Sequence, residues 1–581
     1  MDNNTLTAID RILRRLAVAK GEKPADLLLK NGRLVNVFSS EIIETNLAVQ
    51  DGVIAAVGGE YSSGNEVIDL GGSYLAPGLI DAHLHIESTL LFPPELARIL
   101  AVHGTTCVIN DPHEIANVLG VEGVRMMLAA AGGLPCDFFS TVPSCVPATS
   151  METAGAEVTA AQVADLLKQP RVVGLGEMMN YPGLIEGDEE VLAKIIFALK
   201  EGTVVDGHAP SVSGPDLQAY LSAGITTDHE CLTAAEAVEK LRSGMKIIIR
   251  HGSASSSLEE LLPLVNQATV DAFMFGSDDR EAGELLSGGH LDGLLKTAVS
   301  LGADPLQMIR ISTLNAARHY RLYNRGALAP AYLADLVVFK DLRDFEVELV
   351  VKNGRVAARD GKLTAEIPPY TLPPAALHSV KLAREVVEAD FALELPEGKA
   401  AVIGVIPGQL VTEKLMLDLP RDKSGAVNVD PGSGINKIAV VERHKASGRL
   451  AVGLVKGIGL NEGALASSVA HDSHNILVTG VEEIAMAAAV NELARMGGGF
   501  VAVDEKGSVK ASLPLPVAGL MSAEPAETVA TGMEKILGAA RELGTQLPQP
   551  FLTLSFLALP VIPSLKITDR GLFDVDNFKF L

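Results

Sequence analysis

"GLIDAHLHIESTLL", residues 78–91, decides how this chain is read. An apolar run through Leu79 and Ile80 ends in Asp81, His83, His85 and Glu87. In a strand, positions i and i+2 share a face, so the two imidazoles point the same way. Such a pair is either a cross-strand structural contact or two arms of a metal site. The stretch alone leaves both readings open.

Outward from it, residues 75–320 alternate short apolar strands with helical stretches, the pattern of βαβ units on a parallel sheet. Eight strand candidates follow one another: "SYLAPGLIDAHLHI", "TTCVINDPHE", "DFFSTVPSCV", "RVVGLGEMMN", "TVVDGHAP", "GITTDHE", "KIIIRHG" and "DAFMFGSDD". Helical patterns such as "AAQVADLLKQ", "VLAKIIFALKE" and "AAEAVEKLRSG" separate them. Eight βα units in about 250 residues predict an α/β fold of the TIM (β/α)8 barrel type.

In such a barrel the chemistry sits at the C-terminal strand ends. Those ends carry His83 and His85, Glu177, His208, His229, and Asp278 with Asp279. Each has a bland alternative: Glu177 as a turn cap, His208 bonded to a loop carbonyl, His229 as a polar strand terminus, Asp278 as a helix N-cap. Together they form a donor set of imidazoles and carboxylates that suits Zn²⁺, Mn²⁺ or Fe²⁺. His103, His290, His319, His378 and His444 lack such company and read as structural or surface residues.

The bulk composition narrows the partners. At 581 residues the chain exceeds one ordinary core, so two or three domains are expected. A net charge of −24 disfavours a nucleic-acid partner. Four cysteines without a C-x-x-C pair suggest neither a zinc module nor a disulfide framework. No stretch reaches the ~18 apolar residues of a membrane span, and the amphipathic start lacks the features of a secretory signal. A cytoplasmic protein without a membrane partner is expected.

The flanks echo each other. "LLLKNGRLV" (27–35) and "LVVKNGRVA" (349–357) both read as hairpins turning at Asn-Gly, with further turn signals at Asp51-Gly52 and Asp360-Gly361. They predict a composite small β-sandwich domain from residues 1–74 and 321–367, around a barrel at 75–320. After a Pro-rich linker, residues 368–581 mix strands and helices and read as a C-terminal α/β or α+β domain.

"APGLIDAHLHIES", "DPHEIANVLG", "GLGEMMN", "GHAP", "DHE", "SDD", "TLNAARHY" and the distant "HDSHN" (471–475) together resemble the bacterial adenine deaminase family of the amidohydrolase superfamily. The resemblance covers nearly the whole chain. One departure is "RHGSASS", where His251 replaces an acidic or neutral polar residue. The resemblance implies hydrolytic deamination of free adenine to hypoxanthine and ammonia, with small-molecule substrate and a homo-oligomer, dimer or higher. It implies two divalent cations, Mn²⁺ by preference and Fe²⁺ or Zn²⁺ as alternatives, with hydroxide between them. One would take His83, His85, Glu177 and Asp278; the other Glu177, His208 and His229. Asp278 would shuttle the proton. Glu114 would contact the purine edge, unless it N-caps the helix it opens. Asp111, His113, Asn180 and Asp279 are further pocket candidates. A cyclic amidohydrolase or N-deacetylase on the same barrel is the alternative. The other known base-deaminase signature, with its Cys-x-x-Cys, is absent. The sequence assigns no role to "HDSHN", for which a hydrogen-bonded cluster is preferred to a further metal site.

Overall fold

The run 74–86, read above as one strand, is two. Tyr74–Pro77 pairs antiparallel with Leu336–Phe339, whereas Leu79–Leu84 pairs parallel with Thr105–Asn110. Gly78 is the joint, because a Cβ there would collide with the Thr106 side chain. The computed structural model describes residues 3–253, 255–395, 398–420, 427 and 431–581. The first two residues of the amphipathic start lie outside that range; the rest of it is the helix Asn3–Ala19.

Five parallel strands follow in order: Leu79–Leu84, Thr105–Asn110, Asp137–Val142, Val172–Met178 and Val204–Gly207. Three more, Thr227–Asp228, Lys246–Arg250 and Phe273–Gly276, form a second parallel ladder. Backbone bonds join the two. Thr226 N donates to Val205 O (3.0 Å), and Asp278 N donates to His83 O (2.9 Å). The parallel sheet is therefore curled and partly closed. Ile80, Ala82, Cys107, Ile109, Ile248 and Met274 fill its interior with Tyr320. The second strand candidate is corrected here: it stops at Asn110, and His113 and Glu114 open the helix His113–Ala130.

Strands from both ends of this region share one nine-stranded sheet, including Ala25–Asn36, Glu41–Gln50, Leu336–Phe339 and Val347–Lys352. The turn signals at 51–52, 353–354 and 360–361 do join strands, each with both residues at positive φ. Asn31-Gly32 does not. It is a bulge inside the single strand Ala25–Asn36, because Asn31 N donates to Asn46 Oδ1 and its side-chain amide to Asp69, holding the chain straight on.

The C-terminal region builds a mostly antiparallel eight-stranded sheet covered by the helices Glu483–Arg495 and Ala526–Glu542. It is packed onto the parallel sheet's upper rim. Ile86, Leu91, Leu96 and Ile115 share one buried cluster with Ile438, Leu465, Leu477 and Leu515. Phe92 N donates to Ser522 O (2.9 Å) and Ser522 N to Leu90 O (2.8 Å), so the backbone right after the His83/His85 stretch is stitched to this region. Among the described residues, no helix is long and apolar enough to cross a membrane.

Candidate metal centre

Most strands of the curled sheet deliver a polar side chain where the apolar run ends, the strand Asp137–Val142 being the exception. Two glycines make the approach close enough. A Cβ at Gly176 would strike the Asp111 carboxylate, and one at Gly207 would strike the Thr227 carbonyl. The residues after them are Glu177 and His208.

The two carboxylate oxygens of Glu177 face different imidazoles. Oε1 lies 3.4 Å from His85 Nε2 and 3.4 Å from His113 Nδ1. Oε2 lies 2.7 Å from His208 Nδ1 and 3.1 Å from His229 Nε2. Burial alone would push this carboxyl up, but the His208 and His229 imidazoles outweigh it and hold it well below the usual range. The Asp278 Oδ1 atom lies 3.3 Å from His85 Nε2 and 3.6 Å from His83 Nε2. The ring nitrogens of His83 and His85 are themselves 3.1 Å apart. His83, His85, Glu177, His229 and Asp278 are all buried, and His208 is the half-open member. Three-residue subsets of this cluster converge closely enough to hold a metal ion.

Donor chemistry fits a cation. His85 Nδ1 lies 3.0 Å from the Asp111 carbonyl oxygen, which can only accept. That fixes a proton on Nδ1, so Nε2 is the atom that faces Asp278 and Glu177. Burial opposes a second proton there, but these carboxylates hold the imidazole well above its usual value, and a bound cation would take that proton's place. Buried lone pairs turned toward one another repel unless something positive lies among them.

Several neighbours are not as the sequence suggested. Strand Lys246–Arg250 ends in Arg250, not His251. The guanidinium grips Asp278 Oδ2 at 2.7 Å and forks onto Glu230, with Nη2 to Oε2 at 3.1 Å. Burial opposes the Asp278 charge, but Arg250 beside it and the two imidazoles hold its carboxyl well below the usual range. Glu230 also stands 3.6 Å from His229 Nε2. Neither Arg250 nor Glu230 was singled out from the sequence; the signal was a lone cation ending an apolar strand in a carboxylate-rich set. His251 only closes a loop onto Ser256.

Asp111 Oδ2 accepts from Glu177 N (2.9 Å), so it positions the strand that carries Glu177. Burial and the charge of Glu177 push its carboxyl up to about 7. His113 lies against the same cluster, its imidazole pushed down to about 3 by burial and by His85. Asn180 is spent locally, its side chain capping the helix Tyr181–Glu186 through Gly183 N. Glu114 makes no capping bond; instead Glu87 Oε1 accepts from Ile115 N (3.0 Å) at that helix start. Glu114 Oε1 meets Ser88 Oγ at 3.1 Å, and the same hydroxyl reaches Asp279 Oδ1 at 2.5 Å.

The "HDSHN" segment arrives at this point from the C-terminal region. His471 Nδ1 lies 3.5 Å from Glu114 Oε1, and His474 Nε2 lies 3.9 Å from Glu114 Oε2. Burial and the charge of Glu177 push Asp472 up to about 7, and its Oδ1 lies 3.9 Å from His471 Nδ1. Four other histidines pair elsewhere: His103 with Asp292, His290 with Thr105 and Asp81, His319 with Asp206, His444 with the Ser473 carbonyl.

Residues 74–357 match the amidohydrolase family, and residues 409–579 match the adenine deaminase C-terminal domain. The chain is 48% identical over 566 residues to the adenine deaminase of Desulfatibacillum aliphaticivorans, spanning 97% of this chain and 98% of that protein. It is 47% identical over 567 residues to the adenine deaminase of Dehalococcoides mccartyi strain CBDB1, with the same two spans of 97% and 98%. The adenine deaminase of Methanothrix thermoacetophila is 46% identical over 568 residues, covering 98% of each chain.

Proposed function

Because the chain belongs to the adenine deaminase family of amidohydrolases, we propose that it hydrolyses free adenine to hypoxanthine and ammonia at the cluster around Glu177. The observation that carries the site assignment is the split of Glu177, one oxygen toward His85 and the other toward His208 and His229. A carboxylate so divided suits a bridge between two cations. We read the first as held by His83, His85, Glu177 and Asp278, and the second by Glu177, His208 and His229, with Mn²⁺ as the preferred metal. When bound, such a pair supplies hydroxide at neutral pH and polarises the reacting carbon.

The chain's own residues do the rest. Asp278 presents Oδ1 to the cluster while Arg250 holds Oδ2, so one oxygen is oriented to take a proton and pass it to the leaving amine. Asp111 sets the position of Glu177 through its backbone amide. His113, Asp279 and Glu114 line the side where the purine would lie, and Asn180 supports the adjoining helix. Burial of Asp278, Asp111, His113 and Glu114 keeps bulk water from them, while Asp279 and Asn180 are half-buried.

The same reading takes the two parallel ladders as one (β/α)8 barrel, with a composite β-domain at 1–74 and 321–367 and a C-terminal domain at 368–581. A homo-oligomer is part of the proposal. The helix Asn3–Ala19 exposes Leu6, Ile12, Leu13 and Leu16 along one side, an apolar face suited to a second copy. Ammonia release from a purine panel after metal reconstitution tests the function. Turnover of adenine with little from adenosine or AMP is expected; comparable rates on adenosine would refute the substrate.

A further inference from the structure

The turn between the strands Ala464–Ser467 and Ile476–Gly480 carries His471, Asp472 and His474 under the C-terminal sheet. Its backbone is fixed from several sides. Arg443 Nε donates to the His474 carbonyl, His444 Nε2 to the Ser473 carbonyl (2.7 Å), and His471 N to Ser555 O (3.0 Å). The Asn475 amide donates to Thr153 O (2.8 Å) in the barrel region.

Within this turn the tautomer of His474 is determined. Ala470 N donates to His474 Nδ1 at 3.1 Å, and a backbone amide can only donate. Nδ1 therefore carries the lone pair, and the neutral ring carries its proton on Nε2. Burial holds this imidazole well below its usual value, so it stays neutral. An Nε2–H cannot ligate a metal. The trio Glu114, His471 and His474 converges like a cation site, but its proton placement makes His474 a hydrogen-bond donor.

Among the described residues that donor has no hydrogen-bond partner, and neither do Glu114 Oε2, 3.9 Å from it, or Asp472 Oδ2, all three buried. Unpaired buried groups of this kind are costly unless a ligand completes them. What completes them must fit beside the strand-end cluster and offer a lone pair next to an N–H. Adenine has such an edge. N3 stands across the six-membered ring from C6, the carbon under attack, and N9–H lies beside N3.

Resting on the adenine reading above, we propose that residues 470–475 form the purine pocket's far wall, where His474 Nε2–H donates to adenine N3 and the carboxyl groups of Asp472 and Glu114 accept from N9–H. This would make the C-terminal region the determinant of free-base selectivity. A sugar at N9 removes the N–H and leaves buried acceptors unpaired against a closed wall, the kind of mismatch that rejects substrates by about 10⁴–10⁵.

The test compares metal-replete wild type with His474→Asn and His474→Gln on adenine, 3-deazaadenine and 9-methyladenine. Asn keeps an acceptor for Ala470 N and removes the distal donor; Gln restores a donor near the Nε2 position. Wild type should prefer adenine over 9-methyladenine by at least ~100-fold. His474→Asn should lower kcat/KM for adenine about ten- to a hundredfold, change 3-deazaadenine turnover by no more than about threefold, and keep its metal. His474→Gln should recover part of the adenine loss. Equal losses on adenine and 3-deazaadenine, or loss of a metal equivalent in His474→Asn, would overturn the donor role. An active wild type with unaffected variants overturns this inference alone, whereas a wild type inactive on adenine overturns the deaminase reading and this inference with it.

Discussion

Two buried groups of histidines and carboxylates meet in this protein, one at the strand ends of the curled parallel sheet and one on the 470–475 turn, and a histidine from each shows a different proton position. His85 Nδ1 faces a carbonyl oxygen, so its Nε2 is the atom turned to the centre of the cluster. His474 Nδ1 faces a backbone N–H, so its Nε2 turns a proton to Glu114. Residue type and proximity are alike in both. The backbone partner of the other ring nitrogen decides which histidine is able to offer Nε2 to a cation and which is able to donate from it.

The largest way to sharpen this contrast is to delete one imidazole from each region. His85→Ala should release metal and lower kcat by about 10³ or more, with the fold retained, since a barrel's stability lies in its layered interior and not its rim. His474→Ala should keep the full metal content. Elemental analysis of both variants is the check; metal loss in the second would erase the distinction.

Next in size is the bridge. Wild type should hold two metal equivalents per chain, and Glu177→Gln, having lost the charge between two dications, about one. Activity and metal content, followed together while cation is titrated into chelator-stripped protein, would expose the alternative. Full wild-type activity at one equivalent would return Glu177 to a supporting role.

Arg250 offers a third test, confined to the barrel side. Arg250→Met leaves Asp278 and Glu230 without their shared cation in a buried setting, a loss of about 3–5 kcal/mol. Added metal should recover part of this, because a cation among His83, His85 and Asp278 offsets the freed charge. Melting the metal-free and metal-loaded variant side by side measures the difference. Equal shifts in the two states would mean that Arg250 and the cluster are independent.

The two regions also differ in how far the sequence disclosed them. Strand-end ligands were legible because each breaks an apolar run that otherwise reads as core, as "IDAHLH" and "VVDGH" do. Arg250 and Glu230 were not, because a charged residue beside a more conspicuous histidine stands out only once the sheet curls and sets Arg250 between Glu230 and Asp278. Asn31-Gly32 carried the same letters as Asn353-Gly354, yet one is a bulge and the other a turn, the choice resting on the distant Asn46 and Asp69. The approach of His471 and His474 to Glu114 was hidden for the simplest reason. The partners lie on a helix start and on a turn between two strands, far apart in the chain, and only packing of the C-terminal region over Ile86 and Leu91 unites them.

The smallest expected effect asks whether the turn acts separately from the metals. Asn475 is the turn's side-chain tie to the barrel region, its Nδ2 donating to Thr153 O at 2.8 Å while its Oδ1 accepts from Arg443 N at 3.3 Å. Asn475→Ala removes both bonds, worth about 1–2 kcal/mol together. The backbone of the turn remains held by Arg443, His444 and Ser555, so the change loosens the wall without dismantling it. A loosened wall weakens binding of the purine edge and leaves the strand-end ligands where they were. The adenine KM should therefore rise about three- to tenfold, with kcat and metal content near wild type. Steady-state kinetics beside elemental analysis separates the outcomes. A fall in kcat accompanied by metal loss would mean that the turn and the strand ends form one cooperative cluster, and the contrast between the two histidines would then have no functional consequence.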